Sequence, residues 1–311
     1  MITIGLTGAN GQLGLCMMDA ACAAGDIHIT PITRDDFDFN DPLNVQRTVD
    51  LLRGVKCDVL VNSAAYTAVD GAEADIASAY TINEKSPNIL AAACAILDIP
   101  IIHISTDYVF NGRQTEPYIE TDTPDPLSVY GKSKYAGEVA IRAAHKKSVI
   151  IRSAWLFSAY RKNFLKTMMT LGQQKSSLSI VADQIGTPTY ASDLARGVLA
   201  VARAIAQGRD VYGTYHYGGY PDASWYDFAV AIFDRARASG LTTPATITGI
   251  PTSSYPLPAR RPACSVLSSA LFAKTFGLPP SDWRSGIDEA LSILQSTGEI
   301  TKKKPEGGEI S

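Results

Sequence analysis

The chain has 311 residues, 46% hydrophobic and 19% charged, which is the balance of an ordinary globular protein with room for one large α/β domain and a smaller companion. A net charge of −3 and a pI near 5.8 provide no basic field for nucleic acid or an anionic membrane, so neither is expected as a partner. The start MITIGLTGANG lacks a positive leader and a small-residue cleavage site, and no apolar run approaches a membrane span, so the expected location is the cytoplasm.

In chain order, ITIGLTG reads as a strand closing on glycine, QLGLCMMDAACAAG as a helix ending at Gly25, and HITPIT as a second strand at a sheet edge. DPLNVQRTVDLLRG reads as a helix capped by Asp41 with Pro42 at its first position. CDVLVNSA is a buried strand, SPNILAAACAILD a helix and PIIHISTDYVF another strand. PLSVYGKSKYAGE opens a helix running to about His145, and the strand SVIIRSAWLF follows. Strands alternating with helices in this way predict an α/β fold, a Rossmann-like doubly wound parallel sheet whose strand ends converge on one crevice.

Beyond Trp155 the pattern is less regular. NFLKTMMTLG and SDLARGVLAVARAIAQG read as helices, GTYHYGG as a strand, and SWYDFAVAIFDRARASG as an amphipathic helix capped by Ser224. A proline-rich connection, PTSSYPLPARRPACS, precedes two last helical patterns, Ser268 to Phe276 and Ser285 to Gln295. The predicted division is a dinucleotide-binding domain over 1–155, completed by parts of 180–220, a smaller C-terminal substrate-binding lobe over 156–300, and a disordered tail over 301–311.

Gly8, Gly11 and Gly14 form GxxGxxG at the first strand-to-helix turn. Glycines there permit a tight turn and let backbone N–H groups approach a pyrophosphate, while the helix amino end adds partial positive charge. The position about twenty residues on, where an acid would bind the ribose 2′-OH of NAD, holds Arg34. A guanidinium pairs with a 2′-phosphate, so NADPH is favoured over NADH.

Tyr130 and Lys134 stand four apart and share a helix face. A cation near a helix start opposes the helix dipole, and an anionic cofactor in the crevice would explain it. Lys134 would lower the phenol's pKa and hold ribose hydroxyls, and Tyr130 would protonate a carbonyl oxygen as hydride reaches its carbon. Thr106, at a strand end, can donate to the same oxygen. Lys132 and Tyr135 fall off that face; Lys132 is expected on the solvent side, and Tyr135 is expected to pack or to bind a neighbour. The five cysteines lack a CxxC pair and a histidine at zinc spacing, so they read as buried small hydrophobes, and the four histidines make no HExxH pair; no metal site is expected from either.

The strings TGANGQLG, NSAAYTAVDGAE, STDYVF, PLSVYGKSKYAGE, RSAWLF, DQIGTPT and RPACSVL together resemble an extended short-chain dehydrogenase/reductase, and more narrowly the dTDP-4-dehydrorhamnose reductase family. The resemblance implies reduction by NAD(P)H of the C4 keto group of a dTDP-6-deoxy-4-hexulose to dTDP-L-rhamnose. It makes Thr106, Tyr130 and Lys134 the catalytic set, with Gly8, Gly11, Gln12, Leu13 and Gly14 at the pyrophosphate and Ala64, Ala65 and Tyr66 along the cofactor channel. It turns Tyr108 and Trp155 to the sugar and places Asn163, Gln184 and Arg261 toward the nucleotide diphosphate. An acid that helps bind Mg²⁺ between subunits in some members is replaced by Leu15, Cys16 and Met17, which counts against a metal-bridged dimer and leaves Mg²⁺ and the choice of monomer or homodimer open. Ser268 stands where RPxxSxL commonly continues with aspartate.

Similar dehydratases need an Asp-Glu pair after the threonine, and here the second place is Tyr108. The alternatives are a sugar-nucleotide epimerase and a non-catalytic NADP-binding subunit similar to the regulatory subunit of methionine adenosyltransferase.

Overall fold

The computed structural model describes residues 1–300; the tail expected to be disordered lies outside them. β1 (Ile2–Thr7), α1 (Gln12–Ala24), β2 (Ile27–Ile32), α2 (Val45–Val55) and β3 (Val59–Asn62) open the chain. α3 (Val69–Ala74), α4 (Ile76–Tyr80), a π-helical turn (Thr81–Lys85) and α5 (Ser86–Leu97) follow, then β4 (Ile101–Thr106) and a 3-10 turn (Asp107–Val109). α6 (Val129–Ala144) and β5 (Ser148–Ser153) complete the first half.

All the strands of the main sheet are parallel, in the order β2-β1-β3-β4-β5 with a sixth strand, β10 (Gly213–His216), beside β5. Alternation along each strand builds the two helical layers. On β3 to β5, Val59, Val61, Ile102, Val149 and Ile151 face one core with α1, while Leu60, Ile101 and Ile150 face the other with α2, α5 and α6. β2 lies at the edge, as Pro31 predicts, because proline has no N–H for a second neighbour.

After β5 come β6 (Leu156–Phe157), α7 (Phe164–Gln174), β7 (Ser177–Val181), β8 (Ile185–Gly186), β9 (Thr189–Tyr190) and α8 (Ala191–Ala206), which packs on α1. β10 is followed by β11 (Ala223–Ser224), α9 (Trp225–Ala238), β12 (Thr246–Ile250), a 3-10 turn (Thr252–Ser254), α10 (Ala270–Phe276) and α11 (Trp283–Ser296). A separate core of Phe157, Met168, Phe228, Phe233, Trp283 and Leu291 unites α7, α9 and α11. Among the described residues no helix is long and apolar enough to cross a membrane.

Several local expectations need correcting. α2 is capped by Asn44, whose side chain accepts the Arg47 N–H at 3.0 Å, and not by Asp41. Leu43, like Phe39, packs against the core that α2 shares with α5, and residues 41–44 stay out of the helix. The strand through STDYVF stops at Thr106, where the Tyr108 N–H turns back to the threonine hydroxyl. The strand through SVIIRSAWLF is broken at Trp155, held at φ +46, a conformation uncommon for a bulky side chain. α11 begins at Trp283, since Asp282 caps it. Cys22 is exposed and Cys264 half-buried, so only Cys16, Cys57 and Cys94 are buried small groups; Cys22 lies about 240° around α1 from Cys16 at 100° per residue. Lys132 is exposed, and Tyr135 packs against the cluster of Val109, Phe110 and Tyr118.

Candidate active site

The chain leaves β1 toward β2 on one side of the sheet and returns to β3 on the other, so the crevice lies between the ends of β1 and β3. Gly8 there has φ +72, and a Cβ on it would stand 2.7 Å from the Ala64 nitrogen. A Cβ on Gly14 would stand 2.4 Å from the Gly8 carbonyl oxygen. Gly11 caps α1 with no side chain, which leaves the N–H groups of the first turn without a side-chain acceptor. A cradle of bare backbone donors at a helix amino end fits a dinucleotide pyrophosphate.

This loop opens into a cavity of about 770 Å³. Gly8, Gly11, Gln12, Leu13 and Gly14 line it from the β1 turn, and Ala64 and Ala65 from the β3 turn. Thr106 lines it from the end of β4, Tyr108 from the turn that follows, Tyr130 and Lys134 from α6, and Trp155, Asn163 and Arg261 from the chain beyond β5. Arg34 lines an adjoining cavity of about 300 Å³ that shares Gly8, Gly11, Ala64 and Ala65; its side chain is 73% exposed and stands 3.4 Å from Asp38. Gln184 lines a third cavity, of about 1070 Å³, whose wall shares Trp225 and Arg261 with the first.

Two expected residues stand differently. Tyr66 lines none of these cavities: its backbone N–H donates to Asn83 Oδ1 (2.9 Å), its carbonyl accepts from Asn83 Nδ2 (3.2 Å), and its phenol lies against Gly71. Asn163 reaches the cavity wall, but its amide is engaged within the protein. Oδ1 caps α7 by accepting the Lys166 N–H, and Nδ2 donates to the Ser158 carbonyl at 2.8 Å.

α6 places Tyr130, Lys134 and Glu138 on one face. Its amino end is satisfied by Ser128 Oγ, which accepts the Gly131 N–H, and by Glu73, which accepts the Val129 N–H at 2.8 Å. The acid absent from the helix start in sequence is therefore supplied by α3. Burial pushes the Tyr130 phenol well above its ordinary value; a hydrogen bond to Thr106 opposes this, and the charges of Asp107 and Tyr108 reinforce it. Lys134, expected to lower this phenol's pKa, is buried one turn along α6. Its Nζ turns to the Ile104 carbonyl (2.7 Å) and His103 Nε2 (3.3 Å). Burial draws the lysine down to about 8.

Three residues that the sequence did not single out complete the wall. Asp107 accepts from Thr106 Oγ1 (3.0 Å) and from Ser265 Oγ (2.6 Å), and burial raises its carboxyl to about 6. Ser265 belongs to RPACSVL, so that string is tied to Thr106 through Asp107. Ser153 Oγ is buried on the cavity wall with no protein partner. Trp225 stacks on Trp155 with ring centroids 3.6 Å apart and planes 8° apart. Asp107 and Ser153 were marked by the strings STDYVF and RSAWLF, whereas a tryptophan after a cap serine carries no signal of a site. Among the described residues, no group of three or more His, Cys, Asp or Glu side chains could hold a metal ion.

The family described as RmlD substrate binding domain matches residues 2–296. A dTDP-4-dehydrorhamnose reductase of Aggregatibacter actinomycetemcomitans is 41% identical over 284 residues, 91% of this chain and 96% of that protein. The crystal structure of a dTDP-4-dehydrorhamnose reductase from Clostridium acetobutylicum is 38% identical and superposes with a TM-score of 0.86 over 94% of this chain and 100% of that one. That of the Bacillus anthracis reductase in complex with NADP is 32% identical, with a TM-score of 0.85 over 94% and 99%. With the glycine loop, the Thr106, Tyr130 and Lys134 wall and these likenesses in agreement over nearly its whole length, the chain belongs to the dTDP-4-dehydrorhamnose reductase family.

Proposed function

We propose that the protein reduces the C4 keto group of dTDP-4-dehydro-L-rhamnose (dTDP-6-deoxy-L-lyxo-4-hexulose), giving dTDP-L-rhamnose, with NADPH as reductant. The observation that carries this reading is the meeting of Thr106, Tyr130 and Lys134 on one wall of the cavity that begins at the glycine loop. The bound nicotinamide supplies a hydride to the carbonyl carbon. The loop of Gly8, Gly11 and Gly14 holds the pyrophosphate through backbone donors, and Arg34 faces the 2′-phosphate. Tyr130 gives its proton to the C4 oxygen, Thr106 hydrogen-bonds the same oxygen, and Lys134 serves the ribose hydroxyls. The cavity containing Gln184 suits the nucleotide, with Arg261 between it and the sugar. We place this reaction in the cytoplasm and the enzyme as a monomer or homodimer.

Loss of NADPH absorbance on adding the 4-keto sugar nucleotide tests the reading, with UDP- and GDP-linked 4-keto sugars and NADH in parallel. Turnover is expected with the dTDP sugar. Firm cofactor binding without turnover of any keto sugar would instead favour a regulatory subunit on the same fold. The cofactor choice has its own test in Arg34→Ala. An exposed guanidinium is worth about 1–2 kcal/mol to a phosphate, so KM for NADPH should rise about tenfold while KM for NADH stays within about twofold. An equal change with both cofactors would remove Arg34 from the 2′-phosphate site.

A further inference from the structure

Behind Lys134 lies a buried polar chain with no task in the reaction just described. At the end of β1, Thr7 Oγ1 donates to Asn62 Oδ1 (2.7 Å), and the Ala64 N–H donates to the same oxygen (3.2 Å). A backbone N–H can only donate, so the Asn62 amide has one orientation, and its Nδ2 faces His103 Nδ1 at 3.0 Å. The NH₂ group is also a donor. His103 Nδ1 must therefore accept, and the proton of the neutral imidazole sits on Nε2. His103 is wholly buried, and burial is the first reason that its pKa lies well below the ordinary value.

His103 Nε2 stands 3.3 Å from Lys134 Nζ. An ammonium has no lone pair, so facing Nε2–H it would set donor against donor. A neutral amine accepts that hydrogen and still donates to the Ile104 carbonyl. The charged groups around Nζ do not overturn this preference. Glu138, one turn along α6, favours the ammonium but is tied up by Arg152 of β5 and by Arg142. Asp107 and Tyr108, on the turn after β4, act on Tyr130, and Glu73 of α3 is bound to the Val129 N–H.

We infer that His103 is a positioning residue that holds Lys134 as a neutral amine in the cofactor-free enzyme at mildly alkaline pH, and that dinucleotide binding draws a proton from solvent onto Nζ. The inference rests on the cofactor reading above. The phosphate charge of the dinucleotide favours the ammonium. One N–H bond forms at Nζ, the buffer loses that proton, and the Nε2–H···Nζ hydrogen bond gives way because both atoms then carry hydrogen. The ammonium is thereby released toward the cofactor's hydroxyls. Burial, opposed by the charge of Glu138, draws the lysine to about 8, so the amine is the larger fraction above that pH and the smaller one at neutrality.

Calorimetric titration of the whole enzyme with NADPH in buffers of different ionisation enthalpy reads the protons taken up. At about pH 8.5 we expect an uptake between about one half and one proton per site, falling toward zero at about pH 6.5, because linkage requires uptake only where the free enzyme lacks the proton. NADH, which has no 2′-phosphate to titrate, should give the same uptake at the higher pH. Lys134→Met should bind cofactor with no uptake. His103→Gln offers a carbonyl oxygen to an ammonium, so its Lys134 is charged beforehand and its uptake should fall to less than about half that of the parent. Binding without uptake in the parent protein, or uptake that persists in Lys134→Met, overturns the inference alone. Absence of any binding overturns the cofactor reading and the inference with it.

Discussion

Tyr130→Phe is expected to lower kcat by about 10²- to 10⁴-fold while the dissociation constant for NADPH stays within about twofold. The phenyl ring keeps the edge-to-face contact with Tyr108, whose ring centroid lies 5.7 Å away, so the helix start is not disturbed. What is lost is the proton delivered to the C4 oxygen, worth about 2.7–5.4 kcal/mol at 1.36 kcal/mol per tenfold change. Burial holds the phenol above its ordinary value, so it stays protonated throughout the neutral range and gives up its proton only as charge develops on the substrate oxygen. Lys132, two positions on and exposed, is the control: Lys132→Ala should leave kcat within about twofold, as surface changes away from a site do. Single-turnover and steady-state rates with the 4-keto sugar measure both variants. Near-normal turnover in Tyr130→Phe would remove it as the general acid.

The largest loss of stability is expected from Glu138→Ala, about 3–5 kcal/mol, which for a chain of this size lowers Tm by roughly 5–10 °C. Glu138 is fully buried and grips Arg152, itself 3% exposed, through two bonds, Nε to Oε1 at 2.9 Å and Nη2 to Oε2 at 2.7 Å. Ser105 Oγ and Arg142 donate to the same carboxylate. Truncating it leaves the guanidinium buried against the Phe110 ring and His216 without its counter-charge, and that uncompensated ion carries most of the cost. Exchanging both partners together, as Glu138→Leu with Arg152→Met, should recover much of the loss, because no buried charge is then stranded. Burial works to raise the Glu138 carboxyl, but Arg152, with Ser105 and Arg142, outweighs it and holds the group below its ordinary value of 4.5. A depressed acid contributes stability that is complete above about 4.5 and lost as pH falls through its folded value, so the parent should weaken in acid more steeply than the double variant. Chemical denaturation of the three proteins across pH decides this. A loss of less than about 1 kcal/mol in Glu138→Ala would mean that water reaches the pair.

Much of this molecule is legible in one dimension. The alternation of ITIGLTG, CDVLVNSA, IIHIST and SVIIRS with amphipathic segments determines a doubly wound sheet, because a strand buried on both faces needs apolar residues at odd and even positions alike. The glycine triplet and the Tyr130–Lys134 spacing carry their chemistry in local geometry, since a strand-to-helix turn and one turn of helix are set by neighbours in sequence. Errors gathered where a distant residue decides. Asn44 rather than Asp41 caps α2, and Leu43 before it packs against the core that α2 shares with α5; the strand through Trp155 breaks at a left-handed residue whose indole lies against Gly186 and Trp225.

By itself, then, the sequence determined the parallel sheet, the glycine loop, the edge position of β2 and the helix face that joins Tyr130 to Lys134, all of them products of periodicity and short-range spacing. Only the tertiary structure decided the electrostatics of that face. The amide orientation of Asn62, the tautomer of His103 and the turning of Lys134 toward β4 depend on hydrogen bonds between residues 31 to 55 positions apart. Burial raises the Asp107 carboxyl against a hydrogen bond from Ser265, which comes from 158 positions away. Proton affinity is set by which dipoles and charges surround a buried group, and those neighbours come together only when the chain has folded.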